Sequence, residues 1–268
     1  MTIQFERDFS LVVGVDRNYF RQFKTVFPLW LKFWSRLRSV PWLFFYDGAS
    51  PELRDEINAV IAGHVHHSTT RLQAWHPPDA GQYEDQRDRM LTAWVLLPPA
   101  LVTTRYWMKL DVDAFPVFPV PASFPNMRWF EGSPAVVGHS WHYTKRRGTK
   151  GDWFEILDAW GDASPLLAGT RPLGLRFPPG SNRVAHSRIA SYISFFETDW
   201  SAAVANDCFC SLPDLTIPVP SQDTFFWYVA TRMNRAVVRI KMKRHGFTNQ
   251  SNFEKLSATV GNLLRGTE

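Results

Sequence analysis

The sequence predicts one α/β domain with a mostly parallel central sheet flanked by helices, and three observations carry that expectation. Short apolar runs rich in Val, Phe and Trp alternate with segments whose apolar residues recur at helical spacing, the pattern of βαβ units. Three of the runs end in acid, at Val15-Asp16, Tyr46-Asp47 and Leu110-Asp111-Val112-Asp113. No repeat, low-complexity segment or composition break marks a second domain, and 268 residues suffice for one large core.

Phe9 to Val15 reads as a buried strand, with Asp16-Arg17-Asn18 directly after it. Phe20, Phe23, Phe27, Trp30, Trp34 and Leu37 then recur at helical spacing, with Arg21, Lys24, Lys32 and Arg36 among them. The single apolar stripe predicts a helix packed on the sheet. The alternative is a basic, aromatic helix lying on a membrane surface. Pro28 is expected to kink or split this helix. Trp42 to Tyr46 is a second strand, ending in Asp47-Gly48, and Ser50-Pro51 predicts a helix start with Ser50 as N-cap. His64 to His67 predicts a third short strand. Its three histidines read as surface residues, because no carboxylate or Cys completes a ligand set nearby.

A helix is expected from Gln82 to Leu97, with Met90, Leu91, Trp94, Val95 and Leu97 apolar and Arg87 and Arg89 on the other side. Pro98-Pro99 should end it. Tyr106 to Pro116 is the stretch around which the chain is organised. Period-two alternation places Lys109, Asp111 and Asp113 on one strand face and Met108, Leu110 and Val112 on the other. The acidic face is expected to point outward at the strand's C-terminal end, where open α/β sheets bind ligands. Carboxylates so close together repel, and a hard divalent cation holding a phosphate relieves that repulsion.

After Pro116 the pattern changes. Pro116, Pro119, Pro121 and Pro125 predict a loop or an edge segment. Ala135 to Gly138 reads as a short strand, Lys145 to Gly151 as a basic loop, Trp153 to Trp160 as a short helix, and Leu166 to Asn182 as an irregular excursion. Ser191 to Phe196 is a strand. A helix over Ser201 to Asn206 comes next, with Thr198 or Asp199 as cap. Ser221 to Trp227 is another capped helix, and Ala236 to Met242 is a last core strand.

A net charge of +5 favours anionic partners such as nucleotide, phosphate or anionic lipid. Apart from Lys145 to Lys150 and Lys241 to Arg244 the basic residues are scattered, so no nucleic-acid stripe is expected. No apolar run is long enough to span a bilayer, and the first residues lack a signal-peptide pattern. Cys208 and Cys210 are too close for an ordinary disulfide and too few for a zinc site, which fits a reducing compartment. The expected location is cytoplasmic, with peripheral association at the inner face of the membrane as an additional expectation.

The order of strand, Asp111-x-Asp113, a strand leading into a capped helix, Gln222-Asp223 at a helix start and His245-Gly246 resembles GT-A glycosyltransferases. Among them it looks loosely like the glycogenin and lipopolysaccharide galactosyltransferase group, which moves a sugar from a nucleotide-diphosphate donor. The resemblance implies a Rossmann-like GT-A domain over residues 1–268, with 1–113 as the nucleotide-sugar half and 114–268 as the acceptor half. It implies that Asp111, Asp113 and His245 hold Mn²⁺ or Mg²⁺. Asp16, Arg17, Asp47, Arg87, Lys109, Asp111 and Lys243 would surround a UDP- or GDP-sugar. The acceptor would be a glycan or a lipid-linked precursor. Asp223 is the first candidate for the base that takes the acceptor's proton, with Glu197 and Asp199 behind it. Two departures stand out: Ser221 replaces the first Asp of that group's Asp-Gln-Asp, and its Lys-Pro-Trp after the His is absent.

Three other readings remain. A nucleotidyltransferase needs a Gly-rich loop after the first strand, where Val13-Gly14-Val15 offers one Gly. In phosphatases of the haloacid dehalogenase kind Asp-x-Asp is usually followed by Thr or Val, and Ala114 stands here. The third is a non-catalytic basic module for nucleic acid or anionic lipid.

Overall fold

The computed structural model of the chain describes residues 2–64, 70–76, 86–116, 119–146, 157, 160–171, 173, 183–211, 222–242 and 247–249. A central sheet of seven strands has the order β3-β2-β1-β4-β7-β6-β8. The strands are β1 (Phe9–Val15), β2 (Trp42–Asp47), β3 (Thr70–Trp75), β4 (Tyr106–Leu110), β6 (Val136–Arg146), β7 (Arg183–Glu197) and β8 (Val237–Ile240). A separate two-stranded sheet pairs β5 (Ala114–Pro116) with β9 (Phe247–Asn249). The pairs β1–β2, β2–β3, β1–β4 and β6–β8 are parallel, and only β7 runs against its neighbours β4 and β6.

The central strands β1, β2 and β4 are buried on both faces, as their near-continuous apolar runs require. Leu11, Val13, Phe44, Tyr106 and Met108 face one way. There they meet α1 (Phe5–Asp8), α2 (Phe20–Phe33) and α3 (Glu52–Ile61). Val12, Phe45, Trp107 and Phe196 face the other way, toward α4 (Gln86–Leu101), α5 (Thr198–Ser211) and α6 (Gln222–Arg232). Rings dominate the first layer. Phe9 contacts Tyr106 and Phe130 at centroid distances of 5.3 and 4.8 Å, and Phe27 meets Trp42 and Phe44 edge-on. Truncating one such ring to Ala removes about 3–5 kcal/mol.

The helix α2 packs on the sheet, with Phe23, Phe27 and Trp30 fully buried. It runs through Pro28 to Phe33 rather than splitting there, and a 3₁₀ turn over Ser35–Ser39 comes after it. Pro28 lies on the exposed side of the helix, so water can serve the Lys24 carbonyl that loses its partner. Pro98 and Pro99 likewise lie inside α4, which continues to Leu101, and the Pro98 carbonyl accepts from the Val102 N–H. The third strand is Thr70–Trp75. His64 sits in the turn after α3, and His66 and His67 lie outside the described residues.

The N-cap of α3 is Pro51 rather than Ser50 and makes no side-chain cap bond; Asp47 organises that entry instead, its Oδ1 accepting from the Ala49 N–H at 3.0 Å. The strand expected to stop at Gly138 runs on to Arg146 alongside β7. Glu197, rather than Thr198 or Asp199, caps α5: its Oε2 accepts from the Trp200 N–H at 2.8 Å.

Candidate nucleotide and metal site

The chain runs from β1 outward to β2 and β3, then returns through α4 to β4 on the other side of β1. The C-terminal ends of β1 and β4 therefore flank a topological switch point, where open sheets leave a crevice. A cavity of about 220 Å³ opens there, lined by Gly14, Asp16, Tyr19, Met90, Leu91, Trp94, Asp111, Val112 and Asp113. Gly14 forms part of its floor. A Cβ at that position would stand 2.7 Å from the Phe45 ring and 3.0 Å from the Trp94 indole, so only glycine lets Trp94 lie over the strand.

Asp111 and Asp113 reach the cavity by a route other than strand alternation. β4 ends at Leu110, and residues 111–113 form a turn that leads into β5. The turn is braced from several sides. The Asp111 N–H donates to the Tyr192 carbonyl at 2.9 Å, and the Ala114 N–H donates to the Asp111 carbonyl at 2.9 Å. From α2 the Gln22 amide donates to the Val112 carbonyl at 2.9 Å, and the Trp30 indole N–H donates to the Ala114 carbonyl at 2.6 Å. Each such bond is worth about 0.5–1.5 kcal/mol net, and together they fix the backbone that carries both carboxylates. Sequence reasoning missed Gln22 and Trp30. The signal was one amide inside an otherwise aromatic stripe.

Beside the turn, Tyr192 is buried and its hydroxyl donates to the Phe247 carbonyl. Burial and the Asp113 charge push its pKa up to about 12, so it stays neutral. Asp16 closes the other side of the cavity. Its carboxylate accepts from the Tyr19 N–H at 3.0 Å, and burial outweighs that bond and raises its pKa. Tyr19 is 52% exposed at the cavity mouth, an available aromatic face.

The other expected ligands are placed differently. Asp47 is 1% exposed and bound by Arg89, whose Nη2 lies 2.9 Å from its Oδ2, so it serves the fold rather than the cavity. Arg17 turns outward to Glu52 at 2.7 Å and to Glu56 on α3. Lys109, expected beside the ligand, is 2% exposed and lies beneath Asp111. Arg87 and Asp223 have their backbones in α4 and α6, and their side chains lie outside what the structure describes. Lys243 and His245 lie outside the described residues.

Glu197 and Asp199 are not brought to this site. Glu197 pairs with Tyr106 at the start of β4, and four residues of strand, about 13 Å, separate it from Leu110. Asp199 is exposed at the same far end.

Asp111 and Asp113 offer hard oxygen donors to a single cavity, the ligand chemistry that suits Mg²⁺ or Mn²⁺. Among the described residues no cluster of three His, Cys, Asp or Glu forms a complete metal site. Among the described residues no helix is long and apolar enough to cross a membrane.

No protein-family description matches the chain, and no curated protein matches its sequence. Solved structures do match. Core-mannan synthase A of Aspergillus fumigatus, in its Mn/GDP form, superposes with a TM-score of 0.54 over 83% of this chain and 68% of that one, at 13% identity. The fold is GT-A. More distant are the galactosyltransferase LgtC and the S. cerevisiae mannosyltransferase Ktr4p. LgtC has a TM-score of 0.48 and 12% identity over 87% of this chain and 74% of its own. Ktr4p has a TM-score of 0.47 and 8% identity over 84% and 68%. β5 comes directly after the acidic turn and is paired with β9 from far along the chain.

Proposed function

We propose that the protein is a glycosyltransferase that uses a nucleotide-diphosphate sugar, of the UDP or GDP type, with a glycan or a lipid-linked glycan precursor as acceptor. One observation carries the reading: Asp16, Asp111 and Asp113 share a single cavity at the switch point of a GT-A fold. The A. fumigatus neighbour in its Mn/GDP form supports the same ligand chemistry here. The nucleotidyltransferase, phosphatase and basic-module alternatives have no comparable observation in their favour.

Each residue then has a task. The Tyr19 ring offers a stacking face for the base. The Asp16 carboxylate accepts from ring or ribose donors. Asp111 and Asp113 would hold Mn²⁺ or Mg²⁺, which when bound supplies positive charge for the departing diphosphate. Gln22, Trp30 and Tyr192 keep the two carboxylates aimed without touching ligand. His245 as a third metal ligand and Lys243 at the diphosphate belong to the same reading, as does Asp223 as the acceptor of the incoming hydroxyl's proton. Asp223 remains the first candidate for that base, and Glu197, at the far end of β4 from the acidic turn, stands behind it together with Asp199.

Calorimetry with UDP and GDP, with and without Mn²⁺, tests the proposal. Binding of at least one nucleoside diphosphate that strengthens with Mn²⁺ is expected. No heat with either nucleotide in the presence of Mn²⁺ refutes it.

A further inference from the structure

Lys109 is among the largest fully buried side chains of the protein, at 2% exposure. Its Nζ stands 2.5 Å from Asp111 Oδ2 and 5.5 Å from the centroid of the Trp94 ring. The residue opposite on β7 is Ser194, fully buried and small enough to leave room for the four-carbon stem. A buried ammonium requires an anionic partner, and the chain supplies it from the acidic turn itself. The Asp111 carboxylate therefore faces two ways. One oxygen is held from below by a cation that is part of the fold, while the residue also lines the cavity above.

We propose that Lys109 is a built-in counter-charge for Asp111. It weakens the hold of the acidic turn on a bare divalent cation, so that the cation enters together with the nucleoside diphosphate. The inference rests on the glycosyltransferase reading for the nature of the ligand. Its physics is local. A fixed ammonium and a divalent cation sharing one carboxylate repel each other. Lys109 has little room to withdraw, because its side chain is almost wholly buried on β4 with the ammonium over the Trp94 ring. A diphosphate brings the negative charge that offsets the repulsion. Coupling of this kind is reciprocal: the nucleotide tightens the cation as much as the cation tightens the nucleotide. Lys109 is thus a positioning residue that tunes the metal site without touching substrate.

The test reads Mn²⁺ binding directly, by loss of the free-ion electron paramagnetic resonance signal. Lys109→Met removes the charge and keeps most of the stem volume, whereas Lys109→Arg keeps the charge. Without nucleotide, Lys109→Met should bind Mn²⁺ about tenfold more tightly than the wild type, and Lys109→Arg should stay within about twofold of it. Adding GDP or UDP should tighten Mn²⁺ by a larger factor in the wild type than in Lys109→Met. If Lys109→Met binds Mn²⁺ alone no more tightly than the wild type, the proposal is wrong. A second measurement needs no variant: wild-type protein that binds Mn²⁺ alone as tightly as it does with GDP or UDP bound also overturns it. The nucleotide-free comparison separates the two readings. Should neither nucleotide bind, the glycosyltransferase reading falls, and the Mn²⁺ affinity of Lys109→Met still decides the role of Lys109.

Discussion

The ends of β2 and β4 carry the same sequence signature, an apolar strand closed by aspartate, and they are put to opposite uses. Asp47 is buried, gripped by Arg89 and by the Ala49 N–H. Asp111 and Asp113 open on the cavity. The difference lies in the segment after each strand. Beyond β2 the chain turns through Gly48, where a Cβ would stand 2.2 Å from the His76 ring, and enters α3 at once. That tight turn consumes the carboxylate. Beyond β4 the chain folds back into β5, and α2 supplies side-chain donors for its carbonyls, leaving the two carboxylates facing the cavity. An acidic strand end thus opens on the cavity only where other parts of the chain satisfy the local backbone.

Substitution can break this comparison. The largest effect is expected from Asp47→Ala, which leaves the Arg89 guanidinium without its buried carboxylate. Removing one partner of a buried pair costs about 3–5 kcal/mol, readable as a fall in the urea midpoint. Nucleotide affinity of the folded fraction should stay within about twofold. A loss of nucleotide affinity matching that of an Asp113 variant would make Asp47 a ligand and erase the distinction.

Asp113→Asn should do the reverse. Mn²⁺-dependent nucleoside diphosphate affinity is expected to fall roughly a hundredfold, equivalent to ~2.7 kcal/mol, while the urea midpoint barely moves. Calorimetry and denaturation on the same preparation check both halves.

Gln22→Ala sharpens the comparison, since it leaves both carboxylates in place and removes one brace. It should cost about 1 kcal/mol of stability and weaken Mn²⁺-dependent nucleotide binding by several-fold. Unchanged binding would mean that the turn holds its shape without α2.

The smallest effect concerns pH. Burial raises the Asp16 pKa above its unfolded value. The stabilising contribution of this group is therefore fully present below the unfolded pKa, near 3.9, and is lost as pH rises through the higher folded pKa. Asp16→Asn should remove that slope, so the variant gains on the wild type as pH rises across this window. Parallel pH-dependent denaturation curves for the two proteins would show that Asp16 is not strained by burial.

Much of the site could be read from the order of residues alone. Strands β1, β2 and β4 arise from unbroken apolar runs, and parallel βαβ connection places their acidic ends on one edge, whatever the rest of the chain does. The sequence therefore determined that Asp16, Asp47, Asp111 and Asp113 lie along one side of the sheet. It could not determine which of them faces a ligand, because that depends on partners far along the chain. Arg89 lies 42 residues from Asp47, Gln22 lies 90 residues from Val112, and Trp30 lies 84 residues from Ala114. The place of Glu197 depended on the same kind of long-range information. A carboxylate beside a strand reads as a base candidate, and only the antiparallel register of β7 on β4 shows it at the opposite end of the sheet. Lys109 shows the limit most sharply. Period two correctly put it on the face opposite Met108 and Leu110, but a lysine in a strand reads as solvent-facing. Only the packing of Trp94 and β7 around β4 buries its ammonium and turns it toward the acidic turn. Short-range periodicity fixes which way a side chain leaves its strand, and the elements that close over that face decide whether it meets water, ligand or a counter-charge.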